Sequence, residues 1–339
     1  MDFAGKTILV TGGTGSFGTA FISRILSNYP DTVVRLFSRD ELKQSEARAR
    51  FGSERVRYLI GDVRDRARLT RAAQGASYVI HAAAMKQVPA CEYNPFEAVS
   101  TNVIGTQNVV DAAIDAGVER VVALSTDKAV NPVNLYGATK LCAEKIVVQG
   151  NAYGSYSTRL ACVRYGNVVG SRGSVVPLFR RQAQEGRLTI TDERMTRFWI
   201  SLENAVDLVL FALEELTGGE VFIPKIPSTR IVDLADAIAP DVAREVIGIR
   251  PGEKLHEVLL TADESHRAYD IGDAYVLLPT QQTWVTDDRW QRRGTKVAEQ
   301  FSYTSDNNPE WLVGEELGKL IDSIDVHYRR RSDVVGAFT

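Results

Sequence analysis

A glycine triplet between an apolar run and a helical pattern constrains this chain more than any other stretch. Thr7-Ile8-Leu9-Val10 reads as a short buried strand, and Thr19 through Leu26 has the spacing of a helix. Between them lies Thr11-Gly12-Gly13-Thr14-Gly15-Ser16-Phe17-Gly18. Glycines at 12, 15 and 18 let backbone N–H groups approach a pyrophosphate at a helix N-terminus. The G-x-x-G-x-x-G spacing differs from the commoner G-x-G-x-x-G, and a plain tight turn would also use glycine. A strand before and a helix after favour nucleotide binding, with Thr14, Ser16 and Phe17 of the same turn as further candidate contacts.

The next strands extend that reading. Thr32 to Phe37 ends at Ser38-Arg39-Asp40-Glu41, where a fold preferring NAD usually places an acid for the ribose hydroxyls. Here Ser38 and Arg39 come first, with Lys43 a turn later, an arrangement suited to a 2′-phosphate, so NADP is favoured. Asp40 leaves NAD open, and Ser38-x-x-Glu41 also reads as a capping box. Val56 to Ile60 ends in Gly61-Asp62-Val63; Asp62 either meets the adenine amino group or caps a helix from Arg64 to Ala73. Tyr78 to His81 runs into Ala82-Ala83-Ala84, small enough for a cofactor to lie on the backbone. A helix near Ala98 to Ala116 carries Asn102, either merely tolerated there or fixing a strand or a water. Four such βα units and a central strand predict a right-handed doubly wound parallel sheet, an α/β fold of Rossmann-like kind.

The central strand is Arg120 to Leu124, followed by Ser125-Thr126-Asp127-Lys128 and then Tyr136-Gly137-Ala138-Thr139-Lys140. The polar cluster sits at the carboxyl edge of the sheet, where open α/β sheets bind ligands. A helix over Ala138–Val148 is predicted, and four residues separate Tyr136 from Lys140, so on a helix they share a face. A lysine near a phenol lowers its pKa and suits it to act as a base. Tyr-x-x-x-Lys alone arises often by chance; after this strand, and downstream of the glycine turn, it carries weight.

After Gly150 the pattern changes. Leu160 to Tyr165 is a further strand ending at Gly166-Asn167-Val168; Ser171 to Ser174 is a loop; Pro177 to Glu185 is a helix with Arg180 and Arg181. Thr196-Arg197-Phe198-Trp199 precedes a helix over Leu202–Leu216, and Arg250-Pro251-Gly252-Glu253-Lys254 follows later. Arginine and lysine in glycine-containing loops suit a diphosphate. The division expected is residues 1–168 as an NADP-binding domain, with a contribution from about 196–216, and residues 169–339 mainly as a smaller substrate lobe. The run Arg329-Arg330-Arg331 reads as a solvated end.

Composition narrows the function. Forty basic against 43 acidic residues, net charge -3, gives no nucleic-acid or membrane-surface footprint. No apolar run approaches the roughly 18 residues that span a bilayer. The N-terminal Met1 to Lys6 lacks the apolar core of a signal peptide. Cys91, Cys142 and Cys162 read as reduced thiols of a cytoplasmic protein, and neither they nor the four histidines have metal-ligand spacing.

Taken together, these residues resemble the extended short-chain dehydrogenase/reductase (SDR) superfamily to about residue 260, through Thr11-Gly12-Gly13-x-Gly15-x-x-Gly18, Asp62-Val63, Asn102 and Tyr136-x-x-x-Lys140. Within it they are similar to the soluble UDP-N-acetylglucosamine 4,6-dehydratases that invert C5 and open pseudaminic acid synthesis. That likeness rests on Phe37 to Lys43, Met85-Lys86-Gln87-Val88-Pro89, Ser125 to Ala129, Met195 to Trp199 and Arg250 to Lys254. Retaining 4,6-dehydratases carry Asp-Glu where this chain has Asp127-Lys128, and membrane-bound relatives add an N-terminal membrane region. The resemblance implies Tyr136 as the base at the 4-hydroxyl, Lys128 as the base at C5, kept neutral beside Lys140, and Asp127 as the acid at the 6-hydroxyl. It implies Thr126 and Lys140 in support, and Ala82, Ala83, Lys86 and Val63 against the cofactor. It also implies Lys86, Asn167, Arg181, Thr189, Met195, Arg197, Arg250 and Glu253 around the UDP-sugar, no metal, and a homo-oligomer, hexameric in similar proteins. A retaining dehydratase, a UDP-sugar 4-epimerase and a non-catalytic NADP-sensing regulator are the rival readings.

Overall fold

The computed structural model of the chain describes residues 3–153, 157–170, 175–281, 284 and 287–322. The loop 171–174 and the basic run 329–331 lie outside them. The chain divides into two compact units: Met1–Tyr165 with Glu203–Lys225 and Leu259–Ser302, and Gly166–Leu202 with Ile226–Val258 and Tyr303–Thr339.

The first unit is built on β1 (Thr7–Thr11), β2 (Val33–Ser38), β3 (Val56–Ile60), β4 (Tyr78–His81), β5 (Arg120–Leu124) and β6 (Arg159–Val163). They lie in the order β3-β2-β1-β4-β5-β6, every neighbour parallel. Strands covered on both faces need continuous apolar runs: Ile8, Leu9, Val10, Ile80, Val121 and Val122 are all buried. The helices are α1 (Ser16–Asn28), α2 (Glu41–Phe51), α3 (Arg66–Ala73), α4 (Val88–Tyr93), α5 (Pro95–Val99), α6 (Gly105–Asp115) and α7 (Leu135–Gly150). The order reverses between β1 and β4, the point at which such sheets open a ligand crevice.

Four boundaries differ from the sequence reading. Ser38 does not cap α2. Asp40 does, accepting from the Lys43 N–H at 3.0 Å, while Ser38 Oγ lies 2.9 Å from Thr14 Oγ1. Asp62 does not cap α3 either; Asp65 accepts from the Arg68 N–H at 2.9 Å. The helix carrying Asn102 is interrupted by a wide π turn over Ser100–Ile104. Lastly, residues 259–302, expected in the smaller lobe, pack in the first unit. Val221–Pro224 continues the sheet parallel to β6, Ala274–Leu277 pairs with it antiparallel, and Ala268–Asp270 and Thr295–Lys296 complete ten strands. An antiparallel edge closes through local pairing and leaves no crossover helix for the pattern to reveal.

The second unit holds a three-stranded sheet of Asn167–Val168, Thr196–Ile200 and Ser228–Arg230, and a parallel pair, Arg187–Ile190 with Ala243–Val246. Its core gathers Val176, Phe179, Leu188, Met195, Trp199 and Leu234. Among the described residues no helix is long and apolar enough to cross a membrane.

Candidate active site

The chain leaving β5 stays bound to the sheet. Ser125 and Asp127 donate their backbone N–H groups to the carbonyls of Val163 and Tyr165, at 2.6 and 3.1 Å. Thr126 then caps a single 3-10 turn over Asp127–Ala129. Helix α7 starts beside it, capped by Asn134, whose side chain accepts from the Gly137 N–H at 2.8 Å. A Cβ on Gly137 would lie 2.1 Å from the Lys128 carbonyl oxygen, so only glycine lets the first turn of α7 press this closely. That approach sets Tyr136 against Thr126, Asp127 and Lys128.

These groups form one polar cluster. Thr126 Oγ1 donates to Asp127 Oδ1 at 2.8 Å, and Lys128 Nζ reaches the same oxygen at 3.1 Å. Asp127 is fully buried, whereas the Lys128 side chain is 26% exposed. Tyr136 packs with Cys91 and Ala98, flanked by Met85, Val88 and Leu135. Burial pushes the Tyr136 phenol up to about 12; the Lys128 charge and the Thr126 hydrogen bond oppose that rise, and Asp127 adds to it.

Lys140 is buried one turn along α7 from Tyr136. Its Nζ donates to the Leu124 carbonyl at 2.6 Å, and burial lowers its pKa against the charges of Cys162 and Glu144. Lys86 is lowered first by burial and then by the Lys128 charge. Asn102 is not merely tolerated in its helix. From the π turn it accepts from the Met85 N–H at 2.8 Å and donates to the Met85 carbonyl and to Thr139 Oγ1. It ties the segment before Lys86 to α7.

The glycine turn fits a dinucleotide. Gly12 has φ +67°, and a Cβ there would sit 2.8 Å from the Ala83 nitrogen and 2.9 Å from the Ala82 carbonyl. Gly15 caps α1 without a side-chain bond, and the first turn carries no acid, which leaves N–H groups for an anion. Phe17 turns its ring inward onto Phe21, so only its backbone remains for a ligand. At the end of β2, Ser38 is buried beside Thr14, Lys43 Nζ is paired with Asp40 at 2.5 Å, and the exposed Arg39 lies 3.8 Å from Asp62. Burial would raise the Asp62 carboxyl, but its hydrogen bonds with Arg64 hold it below the usual carboxylate range. Val63 packs on Gly105, where a Cβ would meet it at 2.7 Å.

In the second unit the expected substrate residues divide. Arg197 is buried and donates to the carbonyls of Thr196, Leu255 and Lys254 at 2.7, 3.1 and 3.0 Å, with Glu257 at 3.6 Å. Met195 is equally buried, its sulfur accepting from Arg197 at 2.9 Å. Thr189 is held by Gln182 at 2.7 Å. Arg181 is 70% exposed and Arg250 52%, each facing a glutamate at 4.0 and 3.8 Å, the latter Glu253. Asn167 lies half-buried on its two-residue strand. Sequence reasoning missed Cys91, which packs on Tyr136, and Tyr165, whose carbonyl accepts from the Asp127 N–H at 3.1 Å, both buried. Neither sits in a motif, since long-range packing alone brings them there.

Comparison with known proteins agrees with this geometry. The family model described as polysaccharide biosynthesis protein matches residues 8–279. The chain is 51% identical over 328 residues to the UDP-N-acetylglucosamine 4,6-dehydratase (inverting) of Campylobacter jejuni serotype O:23/36, covering 94% of this chain and 98% of that one. It is 43% identical over 333 residues to a UDP-glucose 4-epimerase of Rickettsia rickettsii, covering 95% and 97%. Among solved structures, Pen from Bacillus thuringiensis superposes with a TM-score of 0.87 at 40% identity, covering 96% and 100%. The glycine cradle, the Tyr136–Lys140 helix and these matches make the chain a member of the polysaccharide biosynthesis protein family, within the extended SDR fold and akin to its inverting UDP-N-acetylglucosamine 4,6-dehydratases.

Proposed function

We propose that the chain is an NADP-dependent UDP-N-acetylglucosamine 4,6-dehydratase that inverts C5 and yields UDP-2-acetamido-2,6-dideoxy-β-L-arabino-hex-4-ulose. One observation carries the reading: a buried Asp127 bonded at 3.1 Å to Lys128, both beside Tyr136. Epimerisation at C4 needs a base for one hydroxyl, whereas loss of water across C5 and C6 needs a base and an acid besides.

The Gly12–Gly18 turn with Ala82 and Ala83 would hold the dinucleotide, which would supply a reversible hydride acceptor for C4 and C6. Tyr136 removes the 4-hydroxyl proton, its phenolate favoured by the Lys128 charge and by Thr126, which also polarises that hydroxyl. The 4-ketone acidifies the C5 proton; Lys128 passes its own proton to Asp127 across the 3.1 Å contact and, now uncharged, takes the C5 proton. Asp127 gives a proton to the departing 6-hydroxyl. Reprotonation of C5 from the opposite face falls to Tyr136 or a water beside it. Lys140 and Lys86 serve the cofactor, and Arg39 with Ser38 its 2′-phosphate. Asn167, Arg181, Thr189, Arg250 and Glu253 serve the UDP moiety, with Met195 and Arg197 shaping their segments. We place the enzyme in the cytoplasm as a homo-oligomer, its product feeding a pseudaminic-type glycan.

The epimerase relatives favour a second reading, UDP-sugar 4-epimerisation. Incubation with UDP-N-acetylglucosamine and catalytic NADP separates the two by mass. A product lighter by one water is expected; an isomer of unchanged mass overturns the dehydratase reading, and no turnover points to a sensor.

A further inference from the structure

We infer that Glu144, clamped by Arg164, positions the Thr126-Asp127-Lys128 segment through the hydroxyl of Ser125, and so holds the acid–base pair in register for loss of water; this rests on the dehydratase reading. Ser125 Oγ donates to Glu144 Oε2 at 2.7 Å. Arg164 donates from Nε to the same oxygen at 3.2 Å and from Nη2 to Oε1 at 2.5 Å. The other side of its guanidinium is taken by Glu264 at 3.0 Å and by the Leu259 carbonyl at 2.9 Å. Ser125, Glu144 and Arg164 are all buried. Burial opposes the Arg164 charge, but the two carboxylates outweigh it and hold the guanidinium protonated.

A bidentate, water-excluded pair fixes both partners closely. Glu144 lies one turn beyond Lys140 on α7, the helix that carries Tyr136. Ser125 immediately precedes Thr126. The backbone bonds to Val163 and Tyr165 hold the segment within the sheet, and the Ser125 hydroxyl ties it across to the helix. One helix therefore bears the phenol at its start and, two turns on, the anchor of the Asp127–Lys128 backbone. Tyr136 itself is carried by α7 and feels the segment only through Thr126 and the Lys128 charge, whereas Asp127 and Lys128 ride on it wholly, so loss of that hydroxyl should disturb elimination more than oxidation. A purely structural Glu144–Arg164 pair has no use for the serine.

The test is single-turnover kinetics of the holoenzyme with UDP-N-acetylglucosamine, following reduced cofactor by absorbance and water loss by mass. In Ser125→Ala, water loss should slow roughly 10- to 100-fold and C4 oxidation clearly less, so reduced cofactor and an undehydrated 4-ketone accumulate. Ser125→Thr, which keeps the hydroxyl, should restore the parental balance. Water loss at the parental rate in Ser125→Ala, or equal slowing of both steps, overturns the inference. A parent protein that releases no dehydrated sugar overturns the underlying reading instead.

Discussion

In the first unit the candidate catalytic side chains stand on regular elements and brace one another: Asp127 is fully buried, Lys128 and Thr126 share one of its oxygens, and a glycine lets α7 close on the turn. In the second unit three arginines of like chemistry have unlike fates. Arg197 is spent on three backbone carbonyls, while Arg181 and Arg250 stay exposed beside glutamates. A site built at a strand end and a helix start is written into contiguous residues. One assembled from loops is not, because an arginine that binds a diphosphate and one that clamps a loop look alike until the carbonyls are in view.

The sharpest way to break the contrast is within the first unit. Tyr136→Phe should lower turnover by about 10²- to 10⁴-fold and form no reduced cofactor with substrate. Lys128→Ala should still form it, yet release no water. Identical phenotypes would mean that the cluster does not divide its labour as described.

The second unit offers the next largest effect. Arg197→Lys cannot span three carbonyls and should lose about 2–4 kcal/mol of stability in urea. Arg181→Ala should leave stability within about 0.5 kcal/mol and raise KM. If Arg197→Lys were equally stable and changed KM alone, the clamp would be a ligand contact.

Much of this was legible in the chain. The apolar runs and glycine spacing predicted five strands of a doubly wound sheet and a further buried strand after Gly150, and Ser125 to Lys140 predicted the cluster. What escaped has a physical cause in each case. Ser38 looked like a helix cap, but its hydroxyl is held by Thr14, a partner 24 residues away. Lys128 carries a charge felt at Tyr136, a neighbour that the four-residue spacing of Tyr136 and Lys140 did not announce. Residues 259–302 returned to the first sheet by antiparallel pairing, a link with no helical period to announce it.

Two smaller tests sharpen the cofactor end. Arg39→Ala should remove about 1–2 kcal/mol of preference for NADP over NAD, read by titration of both; equal affinities in the parent would refute the preference. His81 is buried between Thr11 and Thr106. The Thr106 hydroxyl donates to the Asn102 carbonyl, which assigns the ring proton to Nε2. Burial, then the Lys140 charge, depresses the His81 pKa to about 3. The unfolded chain thus binds the extra proton first; this stability is complete above the unfolded value near 6.5 and drains away as pH falls toward 3. Between pH 7 and 5.5 the loss should be about 1 kcal/mol, and His81→Gln should flatten that slope.

The central claim is that Asp127 and Lys128 remove water with inversion at C5, and early-time proton NMR of the reaction in heavy water tests it directly. One deuterium at C5 of a 4-keto-6-deoxy sugar with L-arabino couplings is the predicted result. An initial product with D-xylo couplings would contradict the inverting role of Lys128.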